Sequence, residues 1–235
     1  MNLSGKTVVV TGASSGLGAA FSRALVKKGA TVYGLARRTD LLEALQASLG
    51  NAFFPVACDV TVMQDVVAAL GPLSQVDVLI NNAGVGRFSP VDEQSSSDWA
   101  IQIDTNLTGV FNCTRRVVPI MKAQNKRTGF GGHIVNIASI AGHVGNANLS
   151  AYNATKFGLR GFSEATMKEL RSHGIKVSCL CPGSVATGFG QKAGSRGATQ
   201  PMQPEDIAAT VIHVLEAHDN YLISEVVMRP LRPRG

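Results

Sequence analysis

Long hydrophobic runs are missing from this chain of 235 residues. No stretch approaches the ~18–20 uninterrupted apolar residues of a membrane span, so no membrane partner is expected. The opening residues, Met1 to Lys6, lack the apolar core of a signal peptide. Cysteine is sparse: Cys58, Cys113, Cys179 and Cys181 are scattered, and neither they nor the five histidines match the spacing of a zinc site. Buried free thiols in a reducing compartment are expected, with a cytoplasmic location and no metal. Charged residues are only 16% and aromatics 6%. The net charge of +6 is spread over small groups such as Lys27-Lys28 and Lys126-Arg127. With one Trp, three Tyr and no nucleic-acid motif, a nucleic-acid partner is not expected.

What the chain does have is hydrophobic residues, at 45%, in alternating strand and helix patterns. Strands are predicted near 6–10, 31–35, 53–57, 76–80, 131–138, 175–181 and 222–227. Helices are predicted near 15–28, 40–48, 62–70, 96–123, 150–172 and 204–217. This alternation predicts an α/β fold: one Rossmann-like, doubly wound parallel sheet of about seven strands, with helices on both faces. No linker or repeat divides the chain, so residues 1–235 are expected to form a single catalytic domain. Residues 188–203, rich in glycine, read as a mobile loop.

Two motifs carry chemistry. The apolar run Thr7 to Val10 leads into Thr11-Gly12-Ala13-Ser14-Ser15-Gly16-Leu17-Gly18 and then a helix. Strand, glycine-rich turn and helix form the phosphate cradle of a dinucleotide fold. Gly12 permits the tight turn, Gly16 the approach of a pyrophosphate, and Gly18 the seating of the helix. Further along stands Tyr152-Asn153-Ala154-Thr155-Lys156, with Ser139 thirteen residues before the tyrosine. A phenol, with a pKa near ~10, needs its anion stabilised to work at neutral pH. A lysine four residues on shares its helix face, and its ammonium is expected to lower that pKa.

Together these motifs resemble the short-chain dehydrogenase/reductase family, over almost the whole chain. Asn82, Ala83 and Gly84 match its N-N-A-G, Asp59-Val60 its adenine-contacting pair, and Asn106 the asparagine of its catalytic tetrad. Pro182-Gly183-Ser184-Val185-Ala186-Thr187 matches P-G-x-V-x-T, placing Pro182, Gly183, Val185 and Thr187 at the cofactor. The resemblance implies Asn106, Ser139, Tyr152 and Lys156 as catalytic residues. Ser139 would hold the carbonyl oxygen and Tyr152 exchange the proton. Lys156 would bind the cofactor ribose, and Asn106 would hold a water through its backbone. Ser14, Ser15 and Leu17 complete the loop, with Tyr152 and Lys156 also touching the cofactor. A homo-oligomer, tetramer or dimer, is implied as well, and so is a lid over substrate and nicotinamide at residues 188–203.

The cofactor expected is NADP(H), with NAD(H) disfavoured. Where an NAD site places an acid at the end of the second strand, this chain has Ala36 followed by Arg37-Arg38, and guanidiniums suit a phosphate. Asp40 reads instead as a helix cap answered by Glu43. The substrate is expected to be a small carbonyl or alcohol, walled by Val85, Arg87, Phe88, residues 140–149 and Phe189, with His143, Asn146 and Asn148 as candidate polar contacts. Two alternatives are a 3-oxoacyl-thioester reductase and a non-catalytic nucleotide-binding regulator or scaffold.

Overall fold

The computed structural model describes residues 1–194 and 200–232. Seven strands form one sheet in the order β3-β2-β1-β4-β5-β6-β7, every neighbouring pair parallel. They are β1 (Thr7–Thr11), β2 (Thr31–Ala36), β3 (Phe53–Ala57), β4 (Val78–Asn81), β5 (Gly132–Ile137), β6 (Ile175–Pro182) and β7 (Glu225–Met228). Crossover helices are α1 (Gly16–Lys27), α2 (Thr39–Leu49), α3 (Met63–Leu70), α4 (Ser96–Ile103), α5 (Gly109–Thr128), α6 (Ser150–Leu170), α7 (Phe189–Lys192) and α8 (Pro204–Glu216). Every residue of β4, β5 and β6 is buried, as expected of strands covered on both faces.

The pleat divides the core. Val8 and Val10 point into one apolar layer with Phe21, Leu25, Ile207 and Val211 from α1 and α8. Val9 points into the other, with Val66 and Leu70 of α3 and Val117 and Met121 of α5. Successive strand side chains face opposite ways, so three consecutive valines serve two cores. Strand order reverses between β1 and β4, and ligands of open α/β sheets bind beyond the carboxyl ends of the strands at such a switch point.

Four local expectations change. The helix expected over 96–123 is two helices, α4 and α5, separated by a π-helical segment at Asp104–Thr108. Asp40 does not cap α2: Arg38 occupies the N-cap and Asp40 lies in the first turn, where an acid still complements the helix dipole. The loop expected over 188–203 contains helix α7, and a bridge joins Val185 to Met202. Its residues 195–199 lie outside the described residues. The last strand begins at Glu225 rather than near 222, because the carbonyls of Tyr221 and Ile223 are taken by the side chains of Lys176 and Ser178.

Candidate active site

The carboxyl ends of β1 and β4 are tied together by side chains. Thr11 Oγ1 accepts the N–H groups of Asn82 and Ala83, both at 3.0 Å, and Asn82 Nδ2 donates to Thr11 O at 2.9 Å. Gly12 turns there with φ 65°, and a Cβ on it would stand 2.9 Å from Ala83 Cα. A Cβ on Gly18 would overlap the Gly12 carbonyl, so α1 sits directly on the turn. Gly16 faces Thr187, whose Cγ2 would be 3.4 Å from a Cβ placed there, and Leu17 packs on the core. The first turn of α1 has no side-chain cap and no acid. Its free N–H groups and positive dipole end suit an anion.

The arginine pair reaches this loop. Arg38 Nη2 donates to Ser14 Oγ at 3.0 Å and Ser15 Oγ at 2.7 Å, while Arg37 Nη1 lies 3.6 Å from Asp59 Oδ2. A guanidinium therefore stands beside a glycine loop whose own residues carry no charge. Asp59 also shapes the turn into α3: its Oδ1 accepts from Thr61 N–H at 3.0 Å and Thr61 Oγ1 at 2.8 Å. Val60 is buried, and its carbonyl accepts from Asn112 Nδ2 at 3.0 Å. An open glycine cradle, an uncapped helix start and neighbouring guanidiniums fit a phosphorylated dinucleotide.

Asn106 lies in the π-helical segment and is fully buried. Its side chain is committed to scaffolding. Oδ1 accepts from Val85 N–H at 2.8 Å, and Nδ2 donates to Val85 O at 2.9 Å and Thr155 Oγ1 at 3.1 Å. Lys156 Nζ donates to Ile137 O at 2.9 Å and stands 5.6 Å from the centre of the Tyr152 ring. Gly84 opens towards both Asn106 and Lys156. Ser139 follows β5, and its Oγ accepts from Ala141 N–H at 3.1 Å. At the end of β6, Pro182 pairs with Met228, and Gly183 N–H bonds Met228 O at 2.8 Å.

The electrostatics correct one expectation. Burial pushes the Tyr152 phenol up to about 12, with the Ser139 hydroxyl pulling the other way. Burial also lowers Lys156 to about 8, opposed by Cys179 and Cys181. In the cofactor-free chain the phenol therefore lies above its ordinary value, not below it as expected. Removing both groups from water costs more than their attraction returns.

The enclosure is aromatic. Phe88 meets Tyr152 edge-on with ring centres 5.4 Å apart, and Phe189 of α7 approaches it at 5.8 Å. Phe88 N–H bonds Ala193 O at 3.1 Å, fastening the segment after β4 to the end of α7. Arg87 sits at the rim with Nε 3.5 Å from Asp98 Oδ1. Of the other expected polar contacts, His143 and Asn146 turn elsewhere. His143 Nε2 faces Glu225 at 3.3 Å, Asn146 N–H bonds Asn153 Oδ1 at 3.0 Å, and Asn148 adopts φ 66°. Sequence reasoning missed Asn153 and Thr155. Asn153 Nδ2 donates to Ala141 O and Val144 O, fixing the loop that carries Ser139. Thr155 Oγ1 donates to Tyr152 O at 2.8 Å while accepting from Asn106. Both lie inside the Tyr-x-x-x-Lys motif, where polar residues on a buried helix face were the available signal.

Many known proteins are similar to this chain. "Dehydrogenase/reductase SDR family member 11" of Gallus gallus is 36% identical, over 96% of each chain. "Serine 3-dehydrogenase" of Agrobacterium fabrum is 34% identical, over 96% of this chain and 94% of that one. A "3-oxoacyl-[acyl-carrier-protein] reductase" of Synechocystis is 35% identical, over 89% and 88%. The closed form of serine dehydrogenase complexed with NADP+ superposes with a TM-score of 0.88 at 31% identity, covering 94% of both chains. The family profile described as "short chain dehydrogenase" matches residues 6–197. The chain belongs to the short-chain dehydrogenase/reductase family and is an oxidoreductase of that fold.

Proposed function

We propose that this protein interconverts a small ketone or aldehyde and its alcohol, using NADP(H), with Tyr152 as the acid–base group. The observation that carries the reading is that Ser139 and Lys156 both converge on Tyr152, with Gly84 opening on Lys156. NADP(H) is favoured by Arg38 lying on Ser14 and Ser15, where a 2′-phosphate would find a guanidinium. The similar serine dehydrogenase, solved with NADP+, points the same way.

When bound, the cofactor supplies or accepts the hydride. The protein's part is positioning and proton transfer. Ser139 hydrogen-bonds the substrate oxygen, and Tyr152 gives that oxygen its proton during reduction and takes it back during oxidation. Lys156 holds the ribose and places an ammonium near the phenol. Asn106, its side chain occupied, offers its backbone carbonyl to a water that links Lys156 to solvent. Acid–base assistance of this kind contributes ~10²–10⁴-fold. Phe88 and Phe189 present apolar faces to whatever flanks the carbonyl, and residues 188–203 act as the lid.

A 3-oxoacyl thioester is the second reading, favoured by the similarity to the Synechocystis reductase. The test is oxidation of NADPH, read by absorbance, with small ketones, aldehydes, 3-oxo acids and a 3-oxoacyl thioester. Turnover restricted to the thioester selects the second reading. Nucleotide binding without turnover of any carbonyl selects a regulator. Tyr152→Phe should bind cofactor normally and lose turnover, since the ring still packs but transfers no proton. Near wild-type rates in that variant would remove Tyr152 from its role.

A further inference from the structure

Cys179 and Cys181 lie two residues apart on β6 and so point to the same side of the strand. Their sulfurs are 3.9 Å apart and both residues are buried. From another direction come His143, in the turn after β5, and Glu225, the first residue of β7. His143 Nε2, Cys181 Sγ and a Glu225 carboxylate oxygen all lie within 4.8 Å of one another. His143 Nε2 is shielded from solvent and makes no hydrogen bond, although Glu225 Oε1 is 3.3 Å away. The ring nitrogen is thus aimed at the cluster without a formed bond.

We infer that these side chains form a binding site for a thiophilic divalent cation such as Zn2+, with Cys181, His143 and Glu225 as ligands and Cys179, outside that 4.8 Å group but 3.9 Å from Cys181 Sγ, reaching the ion as the fourth by a turn of its side chain. Two thiolates on a tetrahedral zinc, each at ~2.3 Å, stand about 3.8 Å apart, close to the separation already present. The nitrogen–oxygen separation is likewise that of two ligands on one ion. Charge agrees. Two thiolates, one carboxylate and a neutral imidazole around a divalent ion leave one net negative charge. Arg160 offsets it: its Nε and Nη2 hold the Glu225 carboxylate at 3.0 and 3.2 Å, and its Nη1 donates to Gly142 O at 2.9 Å. Outer hydrogen bonds of this sort orient a ligating carboxylate, and each carboxylate oxygen keeps a lone pair. A surface cavity of about 440 Å³ reaches the edge of the cluster at Cys179 and Glu225, beside Arg160 and Ser224.

The site would not be silent. Cys181 precedes the Pro182-Gly183 motif directly. Binding releases the thiol protons and pins the strand end that leads into the cofactor-contacting segment. Zn2+ is therefore expected to slow turnover reversibly, and a chelator to restore it.

The experiment titrates the intact, cofactor-free protein with Cd2+, whose thiolate complexes have an ultraviolet charge-transfer band, and then competes with Zn2+. One Cd2+ per chain with that band is expected. The Cys179→Ser/Cys181→Ser double variant should lose the band, while Cys58→Ala keeps it. His143→Ala and Glu225→Gln change less buried groups and guard against a misfolded double variant. Each should weaken Cd2+ by ~10-fold or more, the cost of disturbing even an outer partner. No band at micromolar Cd2+ overturns the site, as does a band that survives the double variant. Unchanged affinity in both His143→Ala and Glu225→Gln reduces the site to a thiol pair and overturns the ligand set.

Discussion

Tyr152 is held by competing environments, and the balance sets its chemistry. Burial raises the phenol to about 12, so the resting chain keeps it as an acid. Oxidation needs it as a base, and its rate should rise through the phenol pKa as pH increases. The Lys156 ammonium, 5.6 Å from the ring centre, opposes the upward shift for as long as it is charged. Lys156→Met should move that rise to higher pH at saturating cofactor, with rate recovered under alkaline conditions. An unmoved profile would leave Lys156 as a cofactor-positioning residue only. Because Lys156 itself falls to about 8, its support in the free chain fades above that pH. Arg38 allows a separate prediction. It touches the serines of the glycine loop, while Arg37 is drawn towards Asp59. Alanine at both positions should weaken NADPH at least ~10-fold and leave NADH nearly unchanged, since only NADPH carries the 2′-phosphate. Equal weakening of both cofactors, measured by titration, would make the pair a general electrostatic feature.

Among the elements, the β5–β6 pair carries a buried titratable group. His133 Nε2 is 2.8 Å from Ser178 Oγ, which in turn donates to Ile223 O. Burial lowers His133 to about 3, with Lys176 acting in the same direction. Between the ordinary histidine value and about 3, the unfolded chain binds a proton that the folded one refuses. Stability therefore falls with acidification across that window, by up to ~1.4 kcal/mol per pH unit from this group. His133→Gln can still meet Ser178 but does not titrate. Denaturant midpoints from pH 7 to 4 should fall less steeply for the variant than for wild type, and parallel curves would refute the assignment. The π-helical segment between α4 and α5 acts at the same scale. It carries Asn106, whose buried amide joins the segment after β4 to α6.

For the whole molecule, the exposed apolar residues suggest assembly. Trp99, Phe111 and Phe157, on α4, α5 and α6, are each 44–46% exposed. Such exposure on three consecutive helices suits burial against a second copy. A homo-oligomer, tetramer or dimer, is proposed, and light scattering at micromolar concentration should give a mass above that of one chain. Phe111→Glu/Phe157→Glu should lower that mass, and a monomeric wild type would end the proposal. Among the described residues, no helix is long and apolar enough to cross a membrane.

By itself the sequence determined the sheet and its ligand-facing end. Apolar runs at regular intervals can be buried only as parallel strands between helices, and Gly12 and Gly18 stand where a Cβ has no room. The Tyr152–Lys156 spacing placed both side chains on one helix face for the same local reason. The tertiary structure decided what depends on groups distant in the chain. It laid Arg38 across Ser14 and Ser15, closed Phe88 and Phe189 on Tyr152, and reversed the expected pKa shift through burial. It also brought His143 and Glu225 to Cys181, a cluster drawn from three separate segments that no ligand spacing along the chain encodes. Spacing reports neighbours within one helix or strand, whereas solvation and long-range contact exist only once the layers have packed.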